Sequence, residues 1–134
     1  MDMKLELVGV PVTDVERAKE FYVKVGFGLD HDHAVSDEIR FVQMTPPGSA
    51  CSIAFGKGLT GMAPGSLDNL QVVVADADAA HDQLAGRGVE VSDVDEQPWG
   101  RFVHFRDPDG NRWALQELPA WSTGAGGSGE APLA

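Results

Sequence analysis

The sequence predicts an α+β protein built from one βαβββ unit written twice in tandem. Three observations predict it. Residues 5–55 lie over residues 67–117 at an offset of 62 without a gap, so Asp14 falls on Asp76, Gly26 on Gly88, Pro46 on Pro108 and Gly48 on Gly110. Such agreement is informative because Gly, Pro and Asp each favour a special backbone conformation. Each copy opens on a β-branched run followed at once by an Asp-capped amphipathic stretch. Each then closes on three shorter runs, the last two joined by a Pro- and Gly-bearing turn.

In chain order, LELVGVPV (5–12) and LDNLQVVV (67–74) read as opening strands. Thr13-Asp14 and Ala75-Asp76 supply helix caps. The first helix places Val15, Ala18, Tyr22 and Val25 on one face, the second Ala77, Ala80 and Leu84. Gly26 and Gly88 stop the two helices. Strands are expected over 27–35, 38–44 and 50–56, and over 89–94, 101–106 and 112–118, with tight turns at 45–49 and 107–111. The expected organisation is a first unit at 1–56, a Gly-rich linker at 57–66, a second unit at 67–121 and a disordered tail at 122–134.

Composition narrows the function classes. A chain of 134 residues holds one compact domain or two small halves. Its net charge of −11 argues against nucleic acid and anionic membranes, which both select basic surfaces. No apolar run approaches the roughly 20 residues that span a bilayer, and the N-terminus lacks signal-peptide character. The one cysteine, Cys51, allows no internal disulfide and no CxxC motif. A cytoplasmic protein is expected.

With V-x-D closing the opening strands, Ala18 to Tyr22 as A-x-x-FY, then Gly26-Phe27 and FRDPDGNRWALQE at 105–117, the chain resembles the vicinal oxygen chelate superfamily. That group comprises glyoxalases, bleomycin-resistance proteins and extradiol dioxygenases, and the resemblance covers nearly all of residues 4–118. It implies two units pairing their sheets into a cupped surface, helices outside and ligand inside. It also implies, for the enzymes, a divalent metal held by His seven residues before the V-x-D aspartate and Glu three after the Asn of DPDGN. Counted here, those positions are Leu7 and Asn69, and Ala114 with its repeat mate Ser52. Leu and Ala have no donor, and Ser and Asn are weak neutral ligands, so no metal and no cofactor is expected.

Strand alternation sorts the rest. Val8, Val10 and Val12, with Leu70, Val72 and Val74, are expected under the helices, as are Cys51, Ile53, Phe55, Trp113 and Leu115. The ligand face should carry Leu7, Asn69 and Gln71, together with Ser52 and Gln116. Through the offset it should also carry Arg40, Val42 and Met44 as mates of Phe102, His104 and Arg106. Trp99, in the loop before the seventh strand, can stack on an aromatic ligand or simply anchor the surface. His104 is the weak catalytic candidate, a general acid or base against a satisfied structural histidine. Arg40 and Arg106 either clamp a ligand anion or form salt bridges. His31 and His33 share a face, where a solvated edge strand explains them better than a metal does. His81 sits on an exposed helix face.

The expected function is metal-independent binding of a small organic molecule, as in the bleomycin-resistance branch, sequestering an antibiotic or toxic metabolite as a homodimer. The alternative is a lyase, isomerase or dioxygenase-like enzyme of the same superfamily, and a third is a partner-binding module with a vestigial pocket.

Overall fold

The computed structural model describes residues 1–120; Trp121 and the expected tail lie outside the described residues. The elements run β1 (Leu7–Gly9), α1 (Val15–Val25), β2 (Gly28–Ala34), β3 (Arg40–Thr45), β4 (Ser52–Lys57), β5 (Leu70–Val73), α2 (Ala77–Gly86), β6 (Asp95–Gln97), β7 (Gly100–Arg106) and β8 (Arg112–Glu117). They form two four-stranded mixed sheets, ordered β1-β4-β3-β2 and β5-β8-β7-β6. In each, the opening strand pairs parallel to the closing one. The α+β class and the βαβββ duplication follow from this order. No helix among the described residues is long and apolar enough to cross a membrane.

Two compact units result: Met1–Asp68 with the turn Arg106–Arg112, and Asn69–Phe105 with the chain from Trp113 onward. In the first, the Asp14 side chain accepts the Arg17 N–H and starts α1. Gly26, at φ 119°, ends it in the left-handed region, with its own N–H and that of Phe27 returning to the Tyr22 carbonyl. Ala18, Tyr22 and Val25 are buried on one stripe, and the Tyr22 ring packs on Phe27 and Phe55 at 5.3 and 5.7 Å. Val42, Met44 and Ile53 complete this core.

The DPDGN turn belongs to the same unit, and its polar side chains are buried there. Asp107 accepts the Tyr22 hydroxyl at 2.8 Å and the Asn111 amide at 2.7 Å. Asn111, fully buried, also donates to the Pro11 carbonyl at 2.9 Å and accepts the Leu67 N–H at 3.1 Å. Asp109 accepts both the N–H and the hydroxyl of Thr13. The FY and DPDGN motifs therefore form a structural clamp in which Tyr22, Asp107 and Asn111 satisfy one another's buried polar groups, while Asp109 Oδ2 is buried without a hydrogen-bond partner among the described residues.

In the second unit, Asp76 caps α2 through the Ala79 N–H. Ala77 and Leu84 are buried from the helix, and Phe105 stacks on Trp113 at 5.9 Å. Two expectations need correction here. The run 89–94 does not form a strand; the edge strand is the short β6 at Asp95–Gln97. The Ser92 hydroxyl takes the His104 N–H at 2.9 Å, a side-chain bond in place of a ladder bond. The 62-residue offset also fails along the opening strands. Gly9 pairs with Ala54, whereas Val73 pairs with Gln116, so β5 sits two residues further along its partner than β1 does. Pro11, Val12 and Thr13 lead into the Asp14 cap where the second copy has Ala75 alone before Asp76, which accounts for the two residues.

Candidate functional site

Each sheet has one face covered by its helix and one open face, and the ladders decide which side chains lie where. Directly opposed residues of antiparallel neighbours point to the same side. Phe55, against the Tyr22 ring, marks the covered side of the first sheet, and its partner on β3 is Val42; Met44 likewise opposes Ile53. Val42 and Met44 have no exposure at all. Arg40 reaches Glu16 of α1 at 2.6 Å and Asp32 at 2.8 Å, and Asp32 also holds Lys19. Arg40, Val42 and Met44 are thus on the helix-covered side, which corrects their expected placement on the ligand face. The counterpart of Arg40 is Arg101, which reaches Asp78 of α2 at 3.0 Å, together with Glu96 and Glu117. β3 and β7 therefore match at 61 residues, and a slip of one residue exchanges the faces of a strand.

The arginine clusters have clear electrostatics. Hydrogen bonds from Arg40, then Lys19, hold the Asp32 carboxyl well below the usual carboxylate range. Asp32 and then Glu16 push the Arg40 guanidinium up, and Asp78 with Glu96 does the same for Arg101. These cations are spoken for by neighbouring carboxylates on the outer side.

The open face of the first sheet carries Leu7 and Gly9 from β1, Ser52, Ala54 and Gly56 from β4, and Phe41, Gln43 and Thr45 from β3. His31 and His33, opposite Gln43 and Phe41, extend it onto the edge strand β2. A bulge between Leu29 and His31 turns Asp30 so that its carboxylate accepts the Thr45 hydroxyl, which lies 2.6 Å from that of Ser52. A cleft of about 230 Å³ opens on this face, lined by Leu7, Gly9, Phe41, Ala54, Gly56, Leu59 and Thr60. A second hollow of about 370 Å³ lies between Pro11–Val15 and the 56–64 segment.

On the second sheet, Val103 and Phe105 are buried with Leu115 and Trp113, leaving Phe102, His104, Ala114 and Gln116 on the open face with Gln71 and Val73. His104 stacks parallel to Phe102 at 6.1 Å, and its Nε2 is 3.9 Å from Asp95. Gln116 donates to the Trp99 carbonyl at 3.1 Å, while the indole stays 46% exposed. Arg106 is exposed at the end of β7. Asn69 precedes β5 in the left-handed region at φ 69° and accepts from Gln71.

Of the residues expected to face a ligand, Leu7 and Ser52 share the first open face, and Gln71, Phe102, His104 and Gln116 share the second. Phe41, Gly56, Leu59 and Thr60 line the first cleft without having been foreseen. The residues opposed at the family's metal positions are Leu7 with Ser52 and Gln71 with Ala114, so the two-residue slip replaces Asn69 by Gln71. None offers a carboxylate or imidazole, and this donor set does not fit a transition metal. Among the described residues, no three His, Cys, Asp or Glu side chains are placed to hold one metal ion.

A duplicated βαβββ chain with two mixed sheets defines the glyoxalase type of fold, and the family comparison agrees. The chain belongs to the Glyoxalase/Bleomycin resistance protein/Dioxygenase superfamily, whose model matches residues 4–115. It is similar to TnmS3, an antibiotic binding protein from Streptomyces sp. CB03234, at 39% identity and a TM-score of 0.80, over 88% of this chain and 98% of that one. A glyoxalase/bleomycin resistance protein from the same strain is 40% identical with a TM-score of 0.75, over 85% and 100% of the two chains. The uncharacterized protein YetH of Bacillus subtilis (strain 168) is 28% identical over 120 residues, 87% of this chain and all of that protein.

Proposed function

We propose that this protein binds a small organic molecule on its open sheet faces without the family's metal, sequestering an antibiotic or toxic metabolite as a cytoplasmic homodimer. The observation that carries this reading is the apolar cleft over Leu7, Phe41 and Ala54, at a place where the family's metal would need charged or imidazole donors. Apolar walls with sparse polar groups are how proteins hold organic ligands. Phe41 and Trp99 offer stacking surfaces, and Gln43, Gln71 and Gln116 supply directed hydrogen bonds. The similarity to an antibiotic binding protein supports the ligand class.

A thermal-shift and native mass-spectrometry screen of antibiotics and aromatic metabolites tests the proposal. Binding of one class, weakened at least about tenfold in Phe41→Ala (a loss of about 1.4 kcal/mol), is the expected result. Stoichiometric metal held at the β1 and β4 positions, or turnover of lactoylglutathione or catechols, would overturn it. Sedimentation measures the dimer separately. A second reading, a metal-free lyase or isomerase, draws on the approach of Asp95 to His104, an arrangement that can orient an imidazole for proton transfer. It requires turnover that disappears in His104→Asn.

A further inference from the structure

His31 and His33 are two residues apart on β2, and strand alternation turns both the same way. The ladder identifies the side: they oppose Gln43 and Phe41 on the open face. Asp32, between them, points to the covered side and is engaged by Lys19 and Arg40. The two imidazoles are exposed, with planes 24° apart and ring centroids 6.0 Å apart.

That spacing has a chemical meaning. An imidazole nitrogen binds a first-row ion at about 2.0–2.1 Å, so two rings on one ion hold their centroids roughly 5 to 6.5 Å apart as the angle at the metal opens from tetrahedral toward linear. The centroids lie inside this range, and because the two rings stand near-parallel, side-chain rotation with no backbone movement is what brings one nitrogen of each onto a common ion. We propose that His31 and His33 form a bidentate site for a divalent transition cation, Cu²⁺ or Ni²⁺ ahead of Zn²⁺. It lies on the edge strand, away from the β1 and β4 positions where the family's metal would sit. Two neutral imidazoles suit these ions, and the remaining coordination positions face water or the oxygens and nitrogens of a molecule lying over Phe41 and Gln43. The other histidines lack this geometry. His81 pairs with Asp82 on α2, and His104 has the Asp95 carboxylate but no second imidazole on the described residues around it.

Isothermal titration of Cu²⁺ and Ni²⁺ into the full-length protein, in a non-coordinating buffer near neutral pH, tests the site. The wild type should take up one equivalent. His31→Gln or His33→Gln should each weaken binding at least about tenfold, because even outer-shell changes at metal sites cost that much. The double variant should lose the site, while His81→Gln/His104→Gln should keep it. Binding should weaken as the pH is lowered, because a ligating imidazole must be unprotonated. Absence of saturable uptake by the wild type, or unchanged affinity in the double variant, would overturn the proposal. Both side chains are exposed, so far-UV circular dichroism should show every variant folded.

Discussion

Arg40 and Arg101 occupy matching places in the two copies, each bridging its strand to an acidic residue in the first turn of its own helix, Glu16 or Asp78. On the other side of the same sheets the copies part. Leu7, Gly9 and Ala54 in the first become Gln71, Val73 and Gln116 in the second, and Gln43 becomes His104. The hairpin turns part as well: residues 46–49 of the first copy, Pro-Pro-Gly-Ser, carry no carboxylate or amide like those of Asp107, Asp109 and Asn111. Covering a sheet with a helix poses the same packing problem twice and receives nearly the same solution. The open faces and turns carry no such shared demand. Ligand chemistry therefore has to be read copy by copy, and symmetry is a guide only to the covered side.

The largest contrast should come from the turns. Asn111→Ala removes one of two bonds to the Pro11 carbonyl, which keeps the Gly65 N–H, strands the Leu67 N–H and empties a fully buried site. A loss of about 2–3 kcal/mol in urea unfolding is expected, at about 1–3 kcal/mol for the N–H left unpaired and about 0.5–1.5 kcal/mol for a bond lost elsewhere. Ser49→Ala in the first copy's turn, at an exposed residue whose hydroxyl bonds Cys51 nearby, should cost under about 1 kcal/mol. Equal losses would dissolve the distinction between the two turns.

A middle effect should separate the two arginine clusters. Asp32 is half-buried between Lys19 and Arg40, whereas Glu96 is largely exposed beside Arg101. Asp32→Asn should cost about 1–2 kcal/mol, and Glu96→Gln close to nothing. The Asp32 carboxyl is depressed in the folded state, so its contribution is present above the unfolded value of about 3.9 and is lost as pH falls below it toward the folded one. Acid titration of Tm should accordingly show a shallower decline below about pH 4 in Asp32→Asn than in the wild type.

The smallest stability effect belongs to the open faces. Leu7→Gln writes the second copy's residue into the first, at a position already 37% exposed. Stability should stay within about 0.5 kcal/mol, while affinity for a ligand found by screening should fall. A change in Tm without a change in binding would separate Leu7 from the site.

Much of the fold was legible because its signals are local. Asp14 and Asp76 cap helices through bonds three residues away, and Gly26 and Gly88 stop them by adopting positive φ. The DPDGN motif was legible as a turn, but its burial against Tyr22, Pro11 and Leu67 depends on partners 44 to 100 residues distant. The third strand shows where pattern runs out. In RFVQMT both alternating sets contain apolar residues, Phe41 on one side and Val42 with Met44 on the other, so only the pairing of Val42 with Phe55 decides the face. The open-face cleft went unseen for that reason, since Phe41 was assigned no role and Leu59 and Thr60 lie in a segment read as a linker. A tally of apolar partners across β3 and β4 would have found it. The slip of β5 was hidden because Pro11, Val12 and Thr13 keep the capping aspartates in register while shifting the strand before them.

The clamp formed by Asp107 and Asn111 also bears on how the chain is made. The first compact unit includes residues 106–112, so its sheet and helix leave the ribosome well before the side chains that close it. Until Asp107 and Asn111 emerge, the bonds from the Tyr22 hydroxyl to Asp107, from Asn111 to the Pro11 carbonyl and from the Leu67 N–H to Asn111 cannot form. The native contacts of the first unit can therefore be completed only once residues 106–112 are available, and they include a closure of 100 positions, the kind of distant pairing that slows folding.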